Sequence, residues 1–298
     1  MEMSNVRIVA EGLQFPEGPV AMSDGSVVVV EIGAGRVTRV RPDGVKETVA
    51  EVGHGPNGAA IGADGALYVC NSGGHIDRGT PSIQRVDLKT GRFETLYAGC
   101  DGQPFGAPND IVFDETGNFW FTDFYGGAIF YAAPDGSKIT RALSALSAPN
   151  GVGLSPDGRT LYWAQTHTRQ VFRRRVLSPG ELAPSPGYSV GAAMTGKGLD
   201  RDCLLIGLPG ARELDSLAVD SQGAICVGSL LESGITVISA DGASEVLMTL
   251  PDFAADYVVT NICFGGPDLK TAYITCSGTG RLVACDWPVA GLKLAFNA

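Results

Sequence analysis

The chain has 298 residues, 44% of them hydrophobic and 18% charged, with 41 glycines, 17 prolines and a formal net charge of −10. That composition excludes a disordered chain, and glycine without a strict period of three excludes a collagen-like one, so the glycines and prolines read as many tight turns. The acidic balance, with an isoelectric point near 4.8, disfavours nucleic acid, whose phosphates it repels, and is compatible with a bound cation.

Taken in chain order, the opening "MEMSNVRIVAEG" lacks the basic region and apolar run of a secretory leader, and "VRIVAEG" within it has the character of a strand. Next comes "FPEGPVAMSDGSVVVVE" (15–31): a polar step, an apolar strand, a glycine turn and a second strand. The same pattern recurs as "GPNGAAIGADGALYVCN" (55–71), "APNDIVFDETGNFWFTD" (107–123), "APNGVGLSPDGRTLYWA" (148–164) and "ELDSLAVDSQGAICVGS" (213–229). A sixth, more worn copy is "VTNICFGGPDLKTAYIT" (259–275). Further strand-like runs follow the first five copies, among them "GRVTRVRPDG", "SIQRVDLKTG" and "GITVISADG".

Units of about 40–50 residues with about four strands each are the signature of propeller blades. The expected architecture is therefore all-β, a six-bladed β-propeller with a central metal site, formed as a single domain over 1–298. "VRIVAEG" is expected to pair beside "RLVACDW" and close the ring, which removes exposed sheet edges. Two stretches, 72–106 and 177–212, lengthen the second and fourth units and read equally well as lids or as surface insertions. The run Arg173-Arg174-Arg175 is expected on a solvated strand edge.

Seven cysteines cannot all pair within the chain, and there is no Cys-x-x-Cys. Cys70, Cys226 and Cys276 lie in apolar strand runs, which suggests reduced, buried thiols and a cytoplasmic setting. No window approaches the roughly 18 apolar residues of a membrane span.

The residues in register at the six polar steps are Glu17, Asn57, Asn109, Asn150, Asp215 and Asn261. The innermost strands of a propeller line its channel, so these six side chains are expected to converge near the axis. For one copy alone, ordinary turn chemistry would suffice, since Asn-Gly is a common turn pair. Six copies in register, two of them acidic, point instead to a ring of hard oxygen donors. Two carboxylates forced together are costly unless a positive charge sits between them, which suits Ca²⁺ or another hard ion. The three histidines, His54, His75 and His167, fall outside this register, against a zinc site.

In "FPEGPV", "APNDIVFDETGNFWFTD", "APNGVGLSPDGRTLYWAQT" and "LDSLAVDSQGAICVGS" the chain resembles the senescence-marker-protein (regucalcin), gluconolactonase and luciferin-regenerating-enzyme family over nearly its whole length. The resemblance implies a six-bladed propeller with one divalent metal ion in the channel, Ca²⁺ first among Zn²⁺, Mn²⁺, Mg²⁺ and Fe²⁺. It implies Glu17, Asn150 and Asp215 as ligands and Asn109 as a nearby ligand or a substrate contact. The implied activity is hydrolysis of a small-molecule lactone, with the metal polarising the carbonyl and Asp215 as catalytic general base. Asn57 and Asn261, with Asn109, would orient substrate. Two positions depart from the family's sugar lactonases. Ala107 stands where an arginine often lies, and Leu214-Asp215-Ser216 replaces Pro-Asp-Gly, so a polyhydroxylated substrate loses an orienting guanidinium. Phe105, Phe124 and Tyr125 either pack between blades or make the mouth more apolar.

Two alternatives stay open: hydrolysis of other esters or phosphorus esters on the same metal, and a non-catalytic calcium- or ligand-binding propeller. Neither a nucleic-acid nor a membrane partner is expected, and the oligomeric state is left open.

Overall fold

Runs of Val, Ile and aromatic residues separated by tight turns form antiparallel meanders, because a short turn can only return the chain beside the strand it has just left. The computed structural model describes residues 1–74, 79–184 and 203–296. After β1 (Ser4–Ala10), the first meander comprises β2 (Pro16–Ala21), β3 (Val27–Glu31), β4 (Arg36–Val40) and β5 (Lys46–Glu51). The second comprises β6 (Pro56–Ile61), β7 (Leu67–Asn71), β8 (Ser82–Val86) and β9 (Phe93–Tyr97). A small hairpin, β10 (Gly99–Cys100) with β11 (Gln103–Pro104), precedes the third, β12 (Pro108–Phe113), β13 (Phe119–Asp123), β14 (Ala128–Ala132) and β15 (Ile139–Leu143).

The fourth sheet contains β16 (Pro149–Leu154), β17 (Thr160–Gln165) and β18 (Gln170–Ser178), with β19 (Glu181–Leu182) and β20 (Leu204–Gly207) both paired to β18. The fifth is β21 (Glu213–Val219), β22 (Ile225–Leu230), β23 (Gly234–Ile238) and β24 (Glu245–Thr249). The sixth joins β25 (Val259–Gly265), β26 (Thr271–Cys276) and β27 (Arg281–Asp286) to β1. Each first strand touches the first strand of the next sheet, and β25 touches β2, so the ring closes as a six-bladed propeller. The expected closure holds: β1 pairs antiparallel with β27, with Ile8 opposite Val283.

Apolar side chains fill the wedges between blades. Phe119, Phe121 and Phe130 pack with Tyr68 and Cys70 of the preceding blade, while Trp120, Trp163 and Leu161 fill the next wedge. Phe105 belongs to the first of these wedges, its ring set edge-on to Phe121 at 5.4 Å, so packing is its role. All seven cysteines are free, and five of them are buried. Among the described residues no helix is long and apolar enough to cross a membrane.

Two expectations are corrected. Part of the 177–212 stretch is not an insertion, because β20 within it forms the outer strand of the fourth blade; residues 185–202 lie outside the described residues, as do 75–78 in the other long stretch. The arginine run is not a solvated edge. β18 is flanked on both sides, and Arg174 is buried, donating from Nη1 to the Ala183 carbonyl and from Nη2 to Cys203 Sγ.

A polar residue at the end of each of the first four second strands grips the loop that leads into its own inner strand. Glu31 accepts from the Gln14 N–H at 2.6 Å, Asn71 donates to the Gly53 carbonyl at 2.6 Å, and Gln165 accepts from the Ser147 N–H at 2.6 Å. Asp123 accepts three backbone N–H groups, from Gly106, Ala107 and Gly126, at 2.6–2.9 Å. Leaving a buried donor unpaired costs about 1–3 kcal/mol. Asp123→Ala is therefore expected to lower unfolding free energy by about 2–4 kcal/mol, measured by urea denaturation.

Candidate metal and catalytic site

Four of the six polar residues, Glu17, Asn150, Asp215 and Asn261, interact with one another, and Asn57 and Asn109 begin the inner strands between them. All six steps share a local irregularity of the strand. Every inner strand carries a β-bulge at its polar step, with one more residue than its partner between matched pairs. Pro108 faces Asp123 and Ile111 faces Phe121; Pro149 faces Gln165 and Val152 faces Trp163. The same shift occurs in β2, β6, β21 and β25. A bulge re-aims side chains, and here it does so at equivalent positions of all six blades.

The glycine after the polar residue serves close approach, not a turn. Gly58 and Gly151 lie within strands β6 and β16. A Cβ on Gly58 would fall 2.4 Å from the Asn109 carbonyl oxygen, and one on Gly151 would fall 2.5 Å from the Leu217 nitrogen. β6 and β16 thus press their backbones against the polar step of the next blade.

Glu17, Asn109, Asn150 and Asn261 are buried, and Asn57 and Asp215 are half-buried. Glu17 Oε2 accepts from the Gly18 N–H at 2.9 Å and from Asn261 Nδ2 at 3.0 Å, while Asn261 Oδ1 accepts the Ile262 N–H. Asn150 Nδ2 donates to Thr166 Oγ1 at 3.2 Å, and its Oδ1 receives only a long bond from Ser216 Oγ at 3.4 Å. Asn57 Oδ1 and Asn109 Oδ1 are buried without any hydrogen-bond partner.

One residue escaped the sequence reading. Asp110, next to Asn109, is buried, and its carboxylate accepts the N–H groups of Val152 in the next blade at 3.1 Å and of Ile111 at 3.0 Å. The signal was present: the residue after the polar step is glycine in the first, second and fourth units but an acid in the third.

Burial pushes the Glu17 carboxyl above its usual range, opposed by the hydrogen bonds from Asn261 and Gly18. Burial and then the charge of Glu17 push Asp215 well up, with Asn150 opposing and Asp110 adding. Asp110 is pushed up to about 7 by burial, with the Val152 N–H opposing and Glu17 adding. Among the described residues no three His, Cys, Asp or Glu are grouped to hold a metal by themselves. Any cation here must draw on the amide oxygens as well. Two orphaned amide oxygens, a third with one long partner, and acids that raise one another's proton affinity are a donor set that fits a hard divalent cation.

The other predicted features are dispersed. His54 lies in the loop before β6, and His75 lies outside the described residues. His167 pairs with Glu213 at 3.2 Å beside the Phe124 ring.

The fold and this axial ring place the chain among six-bladed propellers that gather oxygen donors on the channel axis. It belongs to the SMP-30/Gluconolactonase/LRE-like region family, which it matches over residues 15–278. It is 30% identical over 208 residues to lactonase drp35 of Staphylococcus haemolyticus, an alignment that takes in 67% of this chain and 62% of the relative, thus under two thirds of the relative's length. Its fold superposes on a gluconolactonase from Xanthomonas campestris with TM-score 0.75 at 22% identity, covering 96% of this chain and 90% of that one. For regucalcin, a calcium-binding protein from Agrobacterium tumefaciens, the TM-score is 0.74 at 18% identity, covering 97% and 95%.

The raised carboxyls set a pH dependence for protein kept free of cations. Held protonated by the fold up to about pH 7, Asp110 favours the folded state at low pH, and that contribution is lost as pH rises from about 4 through 7. At about 1.4 kcal/mol per pH unit the loss has a ceiling of about 4 kcal/mol. Chelator-treated protein is expected to melt lower at pH 8 than at pH 5, and Asp110→Asn to reduce that difference while Glu17 and Asp215 keep part of it, by scanning calorimetry.

Proposed function

We propose that the protein is a metal-dependent lactone hydrolase with its site at the axial ring. The observation that carries this reading is the pair of buried, unpartnered amide oxygens of Asn57 and Asn109 beside two mutually destabilising carboxyls, within a family that includes lactonases. Glu17, Asn150 and Asp215 would hold the cation, with Asn109 as a further oxygen. Calcium comes first because the donors are all oxygen and because the Agrobacterium relative binds it. When bound, such an ion supplies Lewis-acid polarisation of the ester carbonyl and neutralises charge that develops there.

The chain's own residues do the rest. Asp215 accepts the proton of the attacking water at a carboxylate oxygen, the water oxygen bonds to the acyl carbon, and the ring C–O bond breaks, its oxygen taking up a proton. Burial and the neighbouring Glu17 and Asp110 raise the proton affinity of Asp215, and a bound cation lowers it again, so the two together set the working pH. Glu17, fixed by Asn261 and the Gly18 N–H, holds its carboxylate in place. Asn57 and Asn261 flank the substrate. The inner strands, rather than loops, carry every one of these groups, which limits misalignment of the reacting atoms.

The loops that feed the ring bear exposed apolar side chains. Phe15 is two residues before Glu17, Tyr257 four before Asn261, and Leu231 donates its N–H to the Tyr257 carbonyl at 2.8 Å. These residues and Tyr125 are 41–66% exposed. With Ala107 in place of a cation, this mouth favours an apolar lactone over a sugar lactone.

Glu17→Gln and Asp215→Asn are each expected to reduce lactone turnover by at least about a thousandfold with circular dichroism unchanged. Glu17→Gln should also lose calcium in titration calorimetry; full activity in either variant would remove the assignment. In a substrate panel, aryl or alkyl lactones are expected to exceed gluconolactone in kcat/KM by at least about tenfold, the scale of one or two buried methylenes.

A further inference from the structure

Each inner strand runs away from the ring toward its hairpin turn, so the residues after the polar step line the other end of the channel. There Val20, Ala59, Val152, Leu217 and Phe264 help to enclose a cavity of ≈ 680 Å³. That is within the range of small-molecule pockets, about 300–1,000 Å³. The segment after β27 crosses this end. Gly291 donates its N–H to the Leu269 carbonyl, Leu292 to that of Val219, and the Phe296 ring stands edge-on to Phe113 at 5.8 Å.

The polar groups at the cavity's inner end are already committed. Asp110 is taken up by two backbone N–H groups, and Asn261 by Glu17 and Ile262. A ligand's polar head therefore finds no partner inward. At the outer end lie Arg159, Arg175 and Lys293. Arg159 and Arg175 are neighbours across strands, since Thr160 faces Arg175 and the Val176 N–H donates to the Arg159 carbonyl. Arg159 lies in the field of Asp157, whose carboxylate is kept ionised by Ser155 Oγ and the Arg159 N–H and offsets that cation. Asp114, which accepts from Tyr131 Oη and Thr116, and Glu115 are the other acids of the lining, and neither is paired with Arg175 or Lys293. Arg175 and Lys293 have no ion-pair partner among the described residues, in a protein where acids outnumber bases by 32 to 22.

We propose that this chamber, which meets the axial ring at Asn261 and opens at the opposite end of the channel, is a second binding site for a small amphipathic carboxylate. Its apolar tail fills the cavity toward Asp110, and its carboxylate meets Arg175 and Lys293 at the outer end. Tail burial supplies most of the affinity and the cations supply the preference for an anion.

The test is calorimetric titration of the purified full chain with octanoate, decanoate and dodecanoate, with decanol as the uncharged counterpart. Affinity is expected to rise about threefold to fourfold per methylene. Arg175→Ser, an exposed change that leaves packing intact, should weaken decanoate about tenfold and decanol less than twofold. Ala59→Leu, which narrows the chamber wall, should weaken both. Chelator should leave decanoate affinity within twofold. Absence of saturable binding, indifference to chain length, equal effects of Arg175→Ser on acid and alcohol, or loss of binding with chelator would each overturn the proposal. The last outcome would place the carboxylate at the axial ring and leave the hydrolase reading standing.

Discussion

The structure is organised around a crowding problem: three carboxyl groups, on Glu17, Asp110 and Asp215, share the poorly solvated centre of the wheel. Buried like charges raise one another's proton affinity, and each acid here sits above the range of an exposed one, Asp110 and Asp215 furthest. Asp110 resolves its share by accepting backbone N–H groups from its own strand and from the next blade, which makes it a tie between blades as well as a charge. Glu17 and Asp215 stay in one another's field, while the amide oxygens of Asn57 and Asn109 on the intervening inner strands have no hydrogen-bond partner. A centre of this kind is strained by its own like charges, and each of the three carboxyls is held above its ordinary proton affinity.

The surrounding wheel holds that crowded centre still. Bulges turn the polar side chains inward at equivalent positions. Glycines at Gly58 and Gly151 let adjacent inner strands approach to distances that a methyl group would forbid. Outside them, Glu31, Asn71, Asp123 and Gln165 fasten the loops that deliver each inner strand to its starting point. Ring geometry and loop geometry are thus set by the same four-stranded unit, repeated with different polar residues at the same sites.

Most of the architecture was readable from the chain because its signals are local and repeated. A polar step, an apolar run and a glycine turn recur six times, and strand character at 6–12 matched the unpaired final blade. What escaped depends on contacts between units. Asp110 shares a motif with Asn109, and choosing one register residue per unit hid its neighbour. Arg174 is flanked and buried because β20 returns from a distant stretch, which no pattern within 170–178 discloses. The glycine of the Pro-Asn-Gly step resembles turn chemistry in sequence, yet its purpose lies in the adjacent blade. Phe105 and Tyr125 are similar in composition and opposite in fate, one buried in a wedge and the other exposed, because only the folded loop decides which faces water.

The join between β1 and β27 carries a consequence for assembly. Ser4 meets Asp286 and Ala10 meets Leu282, so the ring's last seam links segments with nearly the whole chain between them. Loop-closure entropy grows only slowly with length, so this seam is cheap to hold once made, but contacts so far apart in sequence form slowly. During synthesis the first strand must wait for the last, and until then β1 stays unpaired and can recruit a foreign strand. The latch that secures the finished wheel is also the place where an unfinished one is most open to mispairing.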